Sequence, residues 1–164
     1  MNKKILTSDE FMVKIENFKK NAPVDLSIAE DLSLAVMNLI SLEEHFFFTA
    51  LKTKDDSYFD SSLEIREMRK KLLAELVPNH LGETWCISKH LLGGTMRLIE
   101  VGNKFYSEGN KEKAKNMFEQ AYKIYSIFWA LKLKLITGEK IKNTAKEDLP
   151  FDDLVNKLVH CCDE

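Results

Sequence analysis

Cysteine is scarce in this chain: there are three in 164 residues, two of them adjacent at Cys161 and Cys162, so no disulfide framework can be drawn. Proline and glycine are equally thin, at three and six. Six of the nine stand at boundaries or in links, which is the punctuation of helices joined by short turns. Neither sign of charge prevails: 24 Lys and Arg against 26 Asp and Glu leave a formal charge of -2. No bulk field therefore draws nucleic acid or anionic lipid, and neither nucleic acid nor membrane is an expected partner. The local exception, Arg66, Arg69, Lys70 and Lys71, is broken by Glu64 and Glu67 and reads as a salt-bridged solvent face. No apolar run reaches the ~20 residues of a membrane span. The first residues, from Met1 to Glu10, hold too short an apolar stretch for an export signal. The expected compartment is the cytosol (cytoplasmic), with reduced thiols. Gly-rich phosphate loops are absent, no segment alternates with period two, and no sheet is expected.

What the chain does have is helical periodicity along most of its length. Its 45% hydrophobic and 30% charged content is that of one globular domain able to bury a core without staples. Ser8, Asp9 and Glu10 open a short first helix with Phe11, Ile15 and Phe18 on one face, ending before Pro23. Asp25 is placed to cap a second helix that runs to about Thr53. Its stripe Ile28, Leu32, Ala35, Leu39, Leu42 and Phe46 alternates steps of four and three. Asp55, Asp56 and Ser57 supply a turn and a cap for a third helix over about 58–76, with Leu63, Ile65, Met68, Leu72 and Leu76 as apolar positions. A fourth, over about 83–107, is apolar across Trp85, Ile87, Leu91, Leu92, Met96, Leu98, Ile99 and Phe105, an arc wide enough to touch more than one neighbour. Gly109 and Asn110 end it. A fifth carries Ala114, Phe118, Ala121, Tyr125, Phe128 and Leu135 to about Ile136. Tyr122, Tyr125, Phe128 and Trp129 have the spacing of packed aromatics, not of a base-stacking platform.

Short links between long helices favour antiparallel neighbours. The expected fold is all-α, an antiparallel up-down helical bundle of four long helices with a short N-terminal helix, over residues 1–136. A polar, Lys-rich linker follows at 137–149. A short amphipathic C-terminal helix at 150–164, built on Phe151, Leu154, Val155, Leu158 and Val159, would need the bundle or a partner to dock on.

The most unusual chemistry lies at residues 82–97, where a Trp, a Cys, a His, a Glu and the adjacent pair Gly93-Gly94 share one helix. Each interior Gly costs about 1 kcal/mol relative to Ala, so close backbone approach is expected there. Glu83, Cys86, His90 and Arg97 fall within about 60° of one another around that helix, at the edge of its apolar arc. On the second helix Glu43, Glu44 and His45 interrupt an apolar run. Glu43 shares a stripe with Val36, Ile40 and Phe47, so its carboxylate is drawn inward and needs a partner. Two readings follow. Carboxylates and His converging from several helices can hold a transition metal as cofactor, with Glu44, Glu67, Glu83 and His90 as ligands and Glu43, Glu64 and Cys86 as alternates. Alternatively, Glu43 or Glu44 pairs with Arg66, Arg69 or Arg97 across the bundle as a structural ion pair. The paired Glu-x-x-His repeats of ferritin-like carboxylate proteins are missing: Cys86 stands three after Glu83 and Phe47 three after Glu44. The compact His160-Cys161-Cys162 makes no complete zinc site alone.

Three partial resemblances complete the reading. His90 followed by Gly94 resembles the motif of histidine phosphotransfer domains, which implies an exposed phospho-accepting His90; Gly93, however, occupies the position of that family's Lys. Phe105 to Ala121 is similar to one tetratricopeptide hairpin, but no second copy stands ~34 residues away, as stacked repeats require. Residues 42–48 and 82–97 resemble short all-helical proteins of very small prokaryotic genomes, a likeness that brings no activity with it. No motif fixes a reaction, and the expectation leans away from an enzyme. It favours an interaction or adaptor module that binds a protein partner or forms a homo-oligomer through an apolar helix surface. The Gly93-Gly94 face, helix five and the C-terminal helix are the candidate surfaces.

Overall fold

A computed structural model gives the fold, and the residues described are 8–21, 26–78 and 83–136. They form five helices and no strand: α1 Ser8–Asn21, α2 Ser27–Thr53, α3 Ser57–Leu76, α4 Thr84–Ser107 and α5 Lys111–Lys132. The expected all-α architecture is therefore what the chain adopts. Asp25, the linker and the C-terminal helix lie outside the described residues.

The turns follow from local backbone chemistry. α2 ends on Lys54, whose left-handed backbone (φ 57°) turns its N–H back to the Ala50 carbonyl. Asp55 then accepts hydrogen bonds from the Ser57 backbone N–H at 3.0 Å and hydroxyl at 2.6 Å, closing the start of α3. These two bonds hold the Asp55 carboxyl below its ordinary range. Between α4 and α5, Gly109 takes φ 81°, and Asn110 accepts from the Lys113 N–H at 3.3 Å. The sequence carries the fifth helix to about Ile136, but α5 stops at Lys132. Lys134 adopts φ 57°, the N–H groups of Leu135 and Ile136 both return to the Ala130 carbonyl, and the two side chains fold onto the core.

α2 packs against α3 and α4 against α5, giving two antiparallel hairpins joined along α2 and α4. Ile40 lies beside Gly93, and one turn on Glu44 meets Arg97, so α2 and α4 run in the same direction. The main core gathers Ile15 from α1, Val36 and Met37 from α2, Leu73 and Leu76 from α3, Leu92 from α4, and Phe128 and Trp129 from α5. All five helices thus meet at one end. Tyr125, Phe128 and Trp129 form a ring cluster there, with centroids 5.6 to 6.0 Å apart. Lys132 donates from Nζ to the Leu76 carbonyl at 2.8 Å, closing the end of α3, and its burial pushes its pKa down.

The seams are more polar than the apolar stripes suggested. Ile28, Leu63 and Met68 stand exposed, while Ser33, Ser62, Arg69, Ser88, Thr95 and Ser126 are buried. Small hydroxyl residues serve the seam because they bring helices close and return their O–H to the preceding turn. Ser33 donates to the Glu30 carbonyl at 2.7 Å, Thr95 to Leu91 at 2.8 Å and Ser126 to Tyr122 at 2.8 Å. Gly93 and Gly94 also divide in role. A Cβ at 93 would meet Ile40 at 3.3 Å, whereas one at 94 would meet nothing within 4 Å. The tightest approach belongs to Gly102, where a Cβ would run into the Phe118 ring.

Candidate functional site

Glu43 and Glu44 are successive residues on α2, so they point about 100° apart and reach different neighbours. Glu43 turns to α3, accepting from Arg66 Nε at 2.6 Å on one oxygen and from Arg69 Nε at 2.8 Å on the other. The Glu43 and Arg69 side chains keep only 15% and 7% of their exposure, so the pair is effectively internal. Burial by itself raises the Glu43 pKa, but the two guanidinium groups outweigh it and hold the carboxyl below its ordinary value. Glu44 turns to α4, where Arg97 Nε donates to Oε2 at 3.0 Å and Arg97 Nη2 donates to the same oxygen. Arg97 also meets Glu100 and the Ser41 hydroxyl. The Glu44 hydrogen bond leads the interactions that raise the Arg97 pKa further, so its guanidinium stays charged and committed. The ion-pair reading of Glu43, Glu44, Arg66, Arg69 and Arg97 describes the contacts found.

The residues named as metal ligands are distributed differently. Glu44 is held by Arg97, and Glu67 pairs with Lys70 at 2.8 Å on the exposed side of α3. Glu83 lies at the start of α4, exposed, its backbone carbonyl accepting from Ile87. His90, Cys86 and Glu64 are exposed as well. Among the described residues no group of three or more His, Cys, Asp or Glu is placed to hold a metal ion. For phosphotransfer, His90 is exposed and the space above Gly94 is open. The place of the missing Lys, however, is Gly93, which faces Ile40 in the α2–α4 seam, so no cation projects beside His90 from that position.

Beyond the Glu44–Arg97 contact the two hairpins part. The space between them is an open cleft of about 440 Å³ lined by Ser41, Glu44, His45, Phe48, Thr49, Lys52, Arg97 and Glu100. Arg97, at its inner end, is already engaged by Glu44, Glu100 and the Ser41 hydroxyl. The more telling feature is the apolar side of this opening. Phe47 and Leu51 lie on the same helical stripe as buried Val36, yet Phe47 is 47% exposed and Leu51 58% exposed. Phe48, in the cleft, is 56% exposed, and Leu63 across on α3 is 54% exposed. The rings form a chain across the hairpin: Phe48 to Phe47 at 5.3 Å, Phe47 to Phe59 at 6.3 Å, and beside it Phe46 to Tyr58 at 6.0 Å.

The cause is the composition of α4. Past Arg97 its residues on the side of α2 are Glu100, Asn103 and Lys104, all exposed, so closing α4 onto Phe47 and Leu51 would bury charges. α2 therefore ends as an arm with its inward stripe uncovered. It is also long and apolar enough, by length and composition alone, to cross a membrane: its best 18-residue window has mean hydropathy 1.3 and is only 17% buried. The helix itself is legible in the sequence to about Thr53, but its polar interruptions hide this overall apolarity from a test for unbroken apolar runs. The signal that could have found the open arm was the mismatch between an apolar stripe continuing past Ile40 and a polar one on its neighbour. Comparison of the chain with protein-family models, curated proteins and solved structures finds no match.

Proposed function

We propose that this chain is a protein-interaction module whose working surface is the outer half of the α2–α3 hairpin. One observation carries the reading: Phe47, Phe48 and Leu51 on α2 and Leu63 on α3 stand about half in solvent on one arm, and Phe47 and Leu51 lie on a stripe that is core elsewhere in α2. Contiguous exposed aromatics of this kind are how small proteins present a binding surface, and Phe anchors supply much area at little rotamer cost. The surface differs from those expected from the sequence. Gly93 is occupied internally by Ile40, and the second half of α5 is largely buried in the core.

The test is site-specific photo-cross-linking in cells, with the reactive group introduced at Phe48 or, as a control, at Ile28. Ile28 is 72% exposed at the opposite end of α2. Protein adducts should form from position 48 and not from 28. Equal labelling from both positions, or none from 48, would remove the arm as the working surface.

A further inference from the structure

We infer that the occupant of the arm is a second copy of this chain, docked antiparallel along α2 about a two-fold axis at Phe48. This rests on the reading of the arm as an interaction surface. Glu44, Phe48 and Lys52 line the same cleft and sit at equal four-residue intervals on one helical row. A two-fold axis through Phe48 makes an isologous contact, in which each residue meets the one equally far on the other side. It stacks Phe48 on its counterpart, sets each Glu44 against the Lys52 of the other copy, and lays each Leu51 over the other copy's His45. The row is thus self-complementary in charge, which selects a copy of itself over an arbitrary apolar helix. Both charges reach solvent, and Glu44 does so while keeping its bond to Arg97 within the chain: its side chain is 48% exposed. The contacts of Arg97 with Glu44 use Oε2, and Lys52 makes no ion pair among the described residues. Ser41 and Thr49, small residues lining the same cleft, let a second helix approach to ordinary packing distance.

A lipid surface fits less well. Residues 44–64 carry Glu44, Asp55, Asp56, Asp60 and Glu64 against Lys52 and Lys54 and no Arg, whereas interfacial helices are rich in basic residues on the polar side.

Sedimentation equilibrium on the full chain tests the pairing. The wild type should show a monomer–dimer equilibrium. Lys52→Glu sets two like-charge contacts in the dimer and should weaken it by roughly five- to tenfold. Adding Glu44→Lys to that variant reverses both signs at once and should restore association, a recovery that only an isologous pairing of these two positions produces. Phe48→Ser should weaken the dimer by about 100-fold or more, as loss of a central aromatic does. Circular dichroism of each variant checks that the helices persist; if they do not, cross-linking of Phe48→Cys under mild oxidation reads the same axis, and a disulfide dimer should form quickly. A chain that stays monomeric while position 48 still cross-links to another protein overturns the second copy and leaves the interaction surface standing. A monomer with no cross-links ends both. Sedimentation with phosphatidylcholine–phosphatidylglycerol vesicles that depends on Phe48 would replace the second copy by a membrane.

Discussion

Glycines 93, 94 and 102 look alike in a helical pattern, yet their surroundings assign them opposite energetics. Gly94→Ala should raise stability by about 0.5–1 kcal/mol, since nothing lies within 4 Å of the added methyl and Ala is the better helix former. Gly102→Ala should lower it by about 1–3 kcal/mol, because the Phe118 ring must give way at the α4–α5 crossing. Urea unfolding of the two variants beside wild type checks both signs. Glu43 is the second residue whose environment sets a measurable effect. Glu43→Gln leaves the Arg69 guanidinium, 7% exposed, without a full countercharge, at a cost of about 2–3 kcal/mol. The folded pKa of Glu43 lies below 4.5, so its contribution is complete above that pH and disappears as pH falls through the folded value. The stability gap between wild type and Glu43→Gln should therefore stay constant from neutral pH down to about 4.5 and close below it. A gap that persists into strong acid would show that Glu43 acts through packing alone. The inward pull on Glu43 and its need for arginine were readable from its stripe. The Phe118–Gly102 fit was not, because it depends on the crossing of two helices, which no single-helix pattern encodes.

At the scale of helices, existence and order follow directly from periodicity and punctuation, while rotation about each axis does not. The stripe drawn through Ile28, Leu32 and Phe46 put Ile28 inside, and that drawn for α3 put Leu63 and Met68 inside; all three residues are outside or partly so. Hydrophobicity weights Ile and Leu and ignores Ser33, Ser62 and Ser88, yet the serines occupy the seam because their small size draws the backbones together; Ser33 returns its hydroxyl to its own helix and Ser62 donates across to the Glu43 carbonyl on α2. Arg69 is inside for another reason, its tie to Glu43. Helix ends carry a further prediction. Lys54 and Lys134 both hold φ 57°, a conformation that costs an L-residue roughly 1 kcal/mol and a glycine little. Lys54→Gly and Lys134→Gly should each stabilise by about 0.5 kcal/mol after the entropy of the freer unfolded chain is deducted. The measurement is the shift in thermal midpoint, and a fall in either case would mean the lysine side chain contributes contacts that outweigh the strain.

In the molecule as a whole, burial is concentrated where all five helices meet and declines toward the α2–α3 turn. Local opening should follow that gradient, since segments with few buried apolar contacts open at lower free energy than the core. Backbone amides around Leu73, Leu92 and Phe128, all fully buried, should exchange only through global unfolding. Those in the last two turns of α2 and the first two of α3 should exchange faster by orders of magnitude in dilute solution. A ligand that covers the arm binds the closed helix and not the opened one, so exchange there must slow as its concentration rises. If the ligand is a second copy, the slowing depends on protein concentration alone, begins in the dimerisation range found by sedimentation, and leaves the five-helix end unchanged. Hydrogen exchange followed by mass spectrometry at several protein concentrations resolves these segments. Uniform protection along α2 at all concentrations would mean that the arm is as firmly held as the core, and that its exposed Phe47, Phe48 and Leu51 are tolerated without being used.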